Sequence, residues 1–288
     1  MLIIKVTLLI KTGVLKNNPK ISENMKTKLQ PFFIGAVLLC LLTSTFISCN
    51  SSGEIIVSNL KCEYLENPLG IDILQPRFSW NISGNRRGIF QSAYRILVAD
   101  TREALSEGIG NIWNTGKVHS DNLINIVYQG APLKSDQTYY WSVCVWNQNE
   151  EQSSWSEPAV FHTGLIKATD WQAHWIASGD SLLEAPLFRK EFETVKQVKN
   201  AFVFVTGLGY YELYVNGKKV GDHVLDPAIT DYHKRVLYAT YDITSQLKNG
   251  LNVAGLWLGN GAFRLKKVEG RYSWGNNESI LGTPPDNQ

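Results

Sequence analysis

Cysteine is scarce, with four in 288 residues. Cys40 and Cys49 fall in an N-terminal leader-like stretch, leaving Cys62 and Cys144 for the folded part. Two distant cysteines exclude a disulfide framework or a metal knuckle. Each sits in an apolar strand pattern, so buried free thiols are expected over a bridge, although an exported compartment would permit one. An excess of one charge sign is missing as well. From Asn50 onward the chain holds 22 basic and 25 acidic residues, which gives nucleic acid and anionic headgroups no electrostatic hold. There is no HExxH helix, no internal repeat of fixed period, no low-complexity tract and no amphipathic helical hairpin. What is present, 44% hydrophobic and 19% charged residues, is the composition of a folded globular chain rather than a disordered one.

The first 49 residues read as a leader. Met25-Lys-Thr-Lys is a positive n-region, and the apolar run FFIGAVLLCLL from Phe32 to Leu42 is too short to span a bilayer. The sequence TSTFISCN before and through Cys49 resembles a bacterial lipobox, with Phe46 where Leu is usual. The resemblance implies lipidation of Cys49 and a chain exported to, and held by lipid on, a bacterial membrane, periplasmic or at the cell surface. The alternative is an ordinary signal peptide followed by a free thiol. Residues 1–24 lie upstream of the better start at Met25 and read as superfluous.

From Ile55 to His162, short β-type runs such as RFSWNI, AYRILVAD and TYYWSVCVW alternate with turn signals, predicting an all-β sandwich over residues 55–164. Its layout resembles a fibronectin type III or Ig-like domain. In AYRILVAD, Tyr94, Ile96 and Val98 alternate with Arg95, Leu97 and Ala99, which predicts a half-buried strand. Trp80, Tyr139, Trp141 and Trp146 are read as core rather than as a sugar platform. The stretch TGLIKATDWQAHWIAS is the linker, with a boundary near Gly164 and a Trp pair placed to staple two domains. Residues 171–284 again read as strands, with Asn-Gly turns at Asn216-Gly217, Asn249-Gly250 and Asn260-Gly261. One helical turn is expected at DITSQLKNG, capped by Thr244 and stopped by Gly250. A second, jelly-roll (galactose-binding-like) β-sandwich is the predicted architecture.

The blocks FRKEF, GLGYYELYVNGKKVGDHVLDPAITDYHKRVLYATYDIT, LKNGLNVAGLWLGNGAF and GRYSWGNNESILGTP resemble the N-terminal β-sandwich of bacterial α-L-rhamnosidases. The resemblance covers residues 55–284 and implies a fibronectin-like domain in front of that sandwich. In the family, an (α/α)6 barrel supplies the acid and base of an inverting hydrolysis, and no counterpart of it is legible here. The expectation is a truncated N-terminal part of a glycoside hydrolase of this family. It would serve recognition or support in the hydrolysis of terminal α-L-rhamnosides and would not be hydrolytic by itself. A stand-alone carbohydrate-binding module and a non-functional fragment of an interrupted gene are the alternatives.

No catalytic residue is assigned, because Asp222 and Asp226 flank turn residues, where a carboxylate bonded to local backbone is commoner than a tuned acid. A deoxyhexose needs hydrogen-bonding groups for its hydroxyls and aromatic rings for its apolar faces. By resemblance to the family block, Tyr210, Glu212, Asp231, Tyr232, Trp257 and Asn260 are the sugar-contact candidates. Alternation puts Tyr210, Glu212 and Tyr214 on one face, with Leu213 and Val215 as the buried set. No cofactor is required. Calcium is a candidate at Asp222, Asp226 and Asp231. The expected partners are a rhamnose-containing glycan and, through the lipid anchor alone, a membrane.

Overall fold

Strand formation in this chain follows apolar, β-branched and aromatic runs broken by turn residues. The computed structural model describes residues 3–12, 55–179 and 185–261, so Cys49 and the leader around it lie outside the described residues. Strand β1 is Ile3–Thr12. The first sandwich uses β2 (Ile55–Cys62), β3 (Arg77–Gly84), β4 (Gln91–Ala99), β5 (Trp113–Asn114), β6 (Val118–His119), β7 (Ile126–Val127), β8 (Thr138–Asn147) and β9 (Ala159–His162). Sheet β2-β3-β7 faces sheet β5-β4-β8-β9, with β6 also paired to β4.

Between these sheets lie Phe78, Ile96, Val98, Trp141, Val143 and Phe161, with Phe78 and Trp141 ring centroids 4.4 Å apart. Trp80 and Tyr139 join them, so these aromatics are core. Trp80 satisfies its indole N–H on Gln91 Oε1 at 3.0 Å, as a buried Trp requires. Trp146 is only half-buried, with the Lys117 ammonium 4.8 Å above its ring. Cys62 and Cys144 are free and buried, and burial pushes the Cys144 thiol up to about 11.

Strand β4 is not half-buried. Leu97 and Ala99 on its second face are covered by helix α1 (Arg102–Ser106), whose Leu105 closes over them. Thr101 caps that helix, its Oγ1 accepting from Ala104 N at 3.2 Å. A single turn carries too few residues to print a helical period, so alternation alone misjudged the outer face.

The second sandwich uses β10 (Ile176–Ala177), β11 (Leu187–Thr194), β12 (Val198–Leu208), β13 (Tyr210–Val215), β14 (Lys218–Lys219), β15 (Ala239–Asp242) and β16 (Gly250–Gly259). One sheet runs β10-β1-β12-β15 and the other β11-β16-β13-β14. Val203 and Val205 of the first meet Leu213, Val215, Leu256 and Leu258 of the second. Asn216 and Gly217, at φ 50° and 78°, turn β13 into β14. That pair of positive φ angles is the reason an Asn-Gly dipeptide stands there.

Strand β12 is apolar on both faces. Phe202 and Phe204 point away from the sandwich core into a cluster with Leu165, against which Trp171 and Tyr238 pack. The Trp171 and Tyr238 rings meet edge to face at 5.3 Å. Gly164 admits Tyr238, because a Cβ there would lie 2.1 Å from the Tyr238 hydroxyl. That hydroxyl accepts from Leu165 N at 2.9 Å.

Two local expectations differ from the structure. Residues 3–12, read as part of a superfluous leader, form a strand paired with β12 from Ile3↔Leu208 to Thr12↔Val198. The strand pattern is carried by the alternating and β-branched run IIKVTLLIKT itself. Thr244 opens a 3-10 turn, Thr244–Gln246, rather than capping it. Its hydroxyl accepts from Ala201 N at 2.9 Å, while Asp242 Oδ1 accepts from Thr244 N at 2.8 Å.

Candidate functional site

Alternation along β13 buries Tyr211, Leu213 and Val215 and leaves Tyr210, Glu212 and Tyr214 on the outer face of the sheet. In register with Glu212 on β16 stands Trp257, 49% exposed. Tyr210, Glu212 and Trp257 line an open cleft of about 440 Å³, together with His223, Val224 and Leu225. This volume lies within the ~300–1,000 Å³ typical of small-molecule pockets. A larger cleft of about 690 Å³ opens beside β1 between the two sheets and is lined mostly by apolar side chains.

Both oxygens of Glu212 are engaged on its own face. Oε1 accepts from Lys219 Nζ at 2.7 Å and Oε2 from the Tyr214 hydroxyl at 2.7 Å. The Lys219 hydrogen bond, then that of Tyr214, holds the Glu212 carboxyl below the usual carboxylate range. Glu212 is therefore an ionised, positioned acceptor, suited to sugar hydroxyls and unsuited to donating a proton.

Residues 223–225 are anchored through Asp226. Asp226 Oδ2 accepts from the hydroxyls of Tyr211 at 2.6 Å and Tyr241 at 3.1 Å, and lies 3.3 Å from His223 Nδ1. Burial, ahead of its polar neighbours, pushes the Tyr241 phenol up to about 12 and raises that of Tyr211 further. Above this anchor Val224 and Leu225 are 78% and 69% exposed, and Leu225 holds φ 55°, a conformation costly for a branched side chain.

Of the six sugar-contact candidates, Tyr210, Glu212 and Trp257 converge on the cleft. Asn260 follows Gly259, the register partner of Tyr210, and its Oδ1 is buried without a hydrogen-bond partner among the described residues. Tyr232 is 2% exposed, so it is packed in the interior and withheld from any ligand. Its phenol is raised by burial and then by neighbouring Tyr210. Asp231 does not line the cleft. It accepts from His233 N at 3.1 Å and pairs with Lys234 at 3.1 Å, which holds its carboxyl below the usual range. The calcium set is not assembled. Among the described residues no three or more His, Cys, Asp or Glu side chains converge as metal ligands, and Asp226 is already engaged by two tyrosines. His223, Val224 and Leu225 were missed as cleft residues, although an apolar pair inside a polar turn, GDHVLDP, was the available signal.

Two family profiles match. One, described as Rha78A-like, N-terminal immunoglobulin domain, covers residues 57–167, and the other, alpha-L-rhamnosidase N-terminal domain, covers residues 196–283. An alpha-L-rhamnosidase of Formosa agariphila is 40% identical over 221 residues, 68% of this chain and 23% of the relative. One from Alteromonas sp. is 32% identical over 246 residues, 77% of this chain and 26% of the relative. Among solved structures, the alpha-L-rhamnosidase from Dictyoglumus thermophilum superposes with a TM-score of 0.67 at 37% identity, covering 72% of this chain and 25% of that one. The enzyme from Aspergillus terreus gives 0.65 at 27% identity, covering 79% and 26%. The two sandwiches therefore correspond to the N-terminal immunoglobulin-like and N-terminal domains of the matched family. Their family is that of the α-L-rhamnosidases, and the chain spans about a quarter of the length of the curated relatives it matches.

Proposed function

We infer that this chain acts as the sugar-facing, non-hydrolytic N-terminal part of an α-L-rhamnosidase, with the outer-face cleft of the second sandwich holding a terminal L-rhamnosyl unit. The observation that carries this reading is the pairing of Trp257 with Glu212 beside Tyr210. An exposed ring suits the apolar face of a deoxyhexose, and an ionised carboxylate suits its hydroxyls. Hydrolysis by inversion would need one carboxylic acid with a raised pKa. The Glu212 and Asp231 carboxyls are both shifted the other way.

Calorimetric titration with L-rhamnose tests the reading. Saturable heat at millimolar sugar is expected, unchanged by chelator and lost in Trp257→Ala. Absence of heat from folded protein, or equal heat from Trp257→Ala, rejects it. Turnover of an aryl α-L-rhamnoside that disappears in Glu212→Gln would reject the non-hydrolytic role.

A second reading draws on the exposed Leu187, Val224 and Leu225 around Trp257: the same face packs against the remainder of a longer rhamnosidase. Export and lipidation at Cys49 belong to the proposal too. Incorporation of a labelled fatty acid, lost in Cys49→Ser, is the expected result.

A further inference from the structure

Strand β1 comes from outside both matched regions, residues 57–167 and 196–283, yet it enters the middle of a sheet. On one side it pairs with β12 along its whole length, and on the other Ile3 and Ile4 pair with Ala177 and Ile176 of β10. Leu8 and Ile10 pack on the sandwich core, and Leu9 packs on the opposite cluster with Phe202 and Phe204. Thr7 is buried, its Oγ1 accepting from Ala173 N at 3.3 Å. Lys11 reaches the first sandwich, where its Nζ donates to the Asp136 carbonyl and lies 3.2 Å from Asp136 Oδ2. The segment is thus held on both faces and both edges. Next to it the 690 Å³ cleft is lined by Leu8, Phe188, Phe192, Leu213 and Leu256. Removing β1 would open that cleft onto the core and leave one edge of β12 with unpaired backbone groups, which buried edges do not tolerate.

We propose that the slot between β10 and β12 is a strand-acceptor site whose occupant is the segment Ile3–Thr12 of this same chain, an apolar donor strand inserted from far away in sequence. Recognition is by strand addition: the ladder with β12 supplies affinity, and side chains on both faces supply specificity. Because β1 is held by ladder bonds and packing, cleavage before Cys49 would leave it seated only as a separate, non-covalently bound strand. This site is separate from the sugar-facing cleft and stands whether or not rhamnose binds.

The test uses the full chain with a specific-protease site inserted between Asn24 and Met25. After cleavage, the N-terminal fragment is expected to co-elute one-to-one with the body on gel filtration. Excess labelled peptide of residues 2–13 should exchange with it, and the same peptide carrying Leu8→Asp and Ile10→Asp should be captured at least tenfold more weakly. Two outcomes overturn the proposal: release of the fragment from a body whose thermal midpoint is unchanged, or equal capture of the two peptides.

Discussion

His162 of the first sandwich and Phe202 of the second lie face to face, ring centroids 3.7 Å apart and planes 20° from parallel. Both are buried, at 1% and 6% exposure, and Thr138 Oγ1 sits 2.9 Å from His162 Nδ1 at the edge of the ring. Phe202→Ala should cost about 3–5 kcal/mol, the usual range for emptying a buried phenylalanine site. Because the loss falls between the sandwiches, calorimetry should show one thermal transition separating into two.

Gly164→Ala tests the same junction from the backbone side. The added Cβ would collide with the Tyr238 hydroxyl at 2.1 Å, so a loss of about 1–3 kcal/mol is expected. Tyr238→Phe makes room but forfeits the hydrogen bond from Leu165 N, at about 1 kcal/mol. Combining the two changes should therefore cost less than the sum of the separate losses, readable from urea midpoints.

The outer-face cleft separates binding from stability. Trp257 is half exposed, so Trp257→Ala should leave the urea midpoint within about 0.5 kcal/mol of the parent while abolishing rhamnose heat. Glu212→Gln removes the charge that fixes Lys219 and Tyr214 and should weaken the sugar by about tenfold, the equivalent of one hydrogen bond to a charged group.

Legibility in the sequence depended on how local the cause was. The hairpin Tyr210 to Lys219 was readable because alternation and an Asn-Gly dipeptide are adjacent in the chain. Tyr232 was misjudged because an aromatic in a polar turn says nothing about which side of the fold will cover it. Helix α1 was hidden by its brevity, and β1 by its distance from its partner, since nothing near residue 3 encodes an empty place beside Val203. The grouping of Asp226 with Tyr211 and Tyr241 is likewise a product of three separate elements.

Glu63 gives a pH-dependent stability term. It accepts from Arg77 N at 2.6 Å, Nε at 3.1 Å and Nη2 at 2.5 Å, and the side-chain hydrogen bonds, then the backbone one, hold its carboxyl below the usual value of 4.5. A depressed carboxylate contributes fully above its unfolded pKa and loses the contribution as pH falls through the folded one. Glu63→Gln should thus lower the urea midpoint at neutral pH, with the difference from the parent shrinking as pH falls below the usual 4.5 and vanishing only below the depressed folded pKa.

Strand β12 has the sandwich core on one face, the first domain on the other, and β1 and β15 along its edges. Parting the two domains would wet Phe202 and Phe204 yet leave every ladder bond of the strand in place. Amide deuterium uptake from Ala201 to Val205 should accordingly be insensitive to domain breathing and proceed only through complete unfolding. The slowest clock in the molecule would then lie at the seam between its two halves.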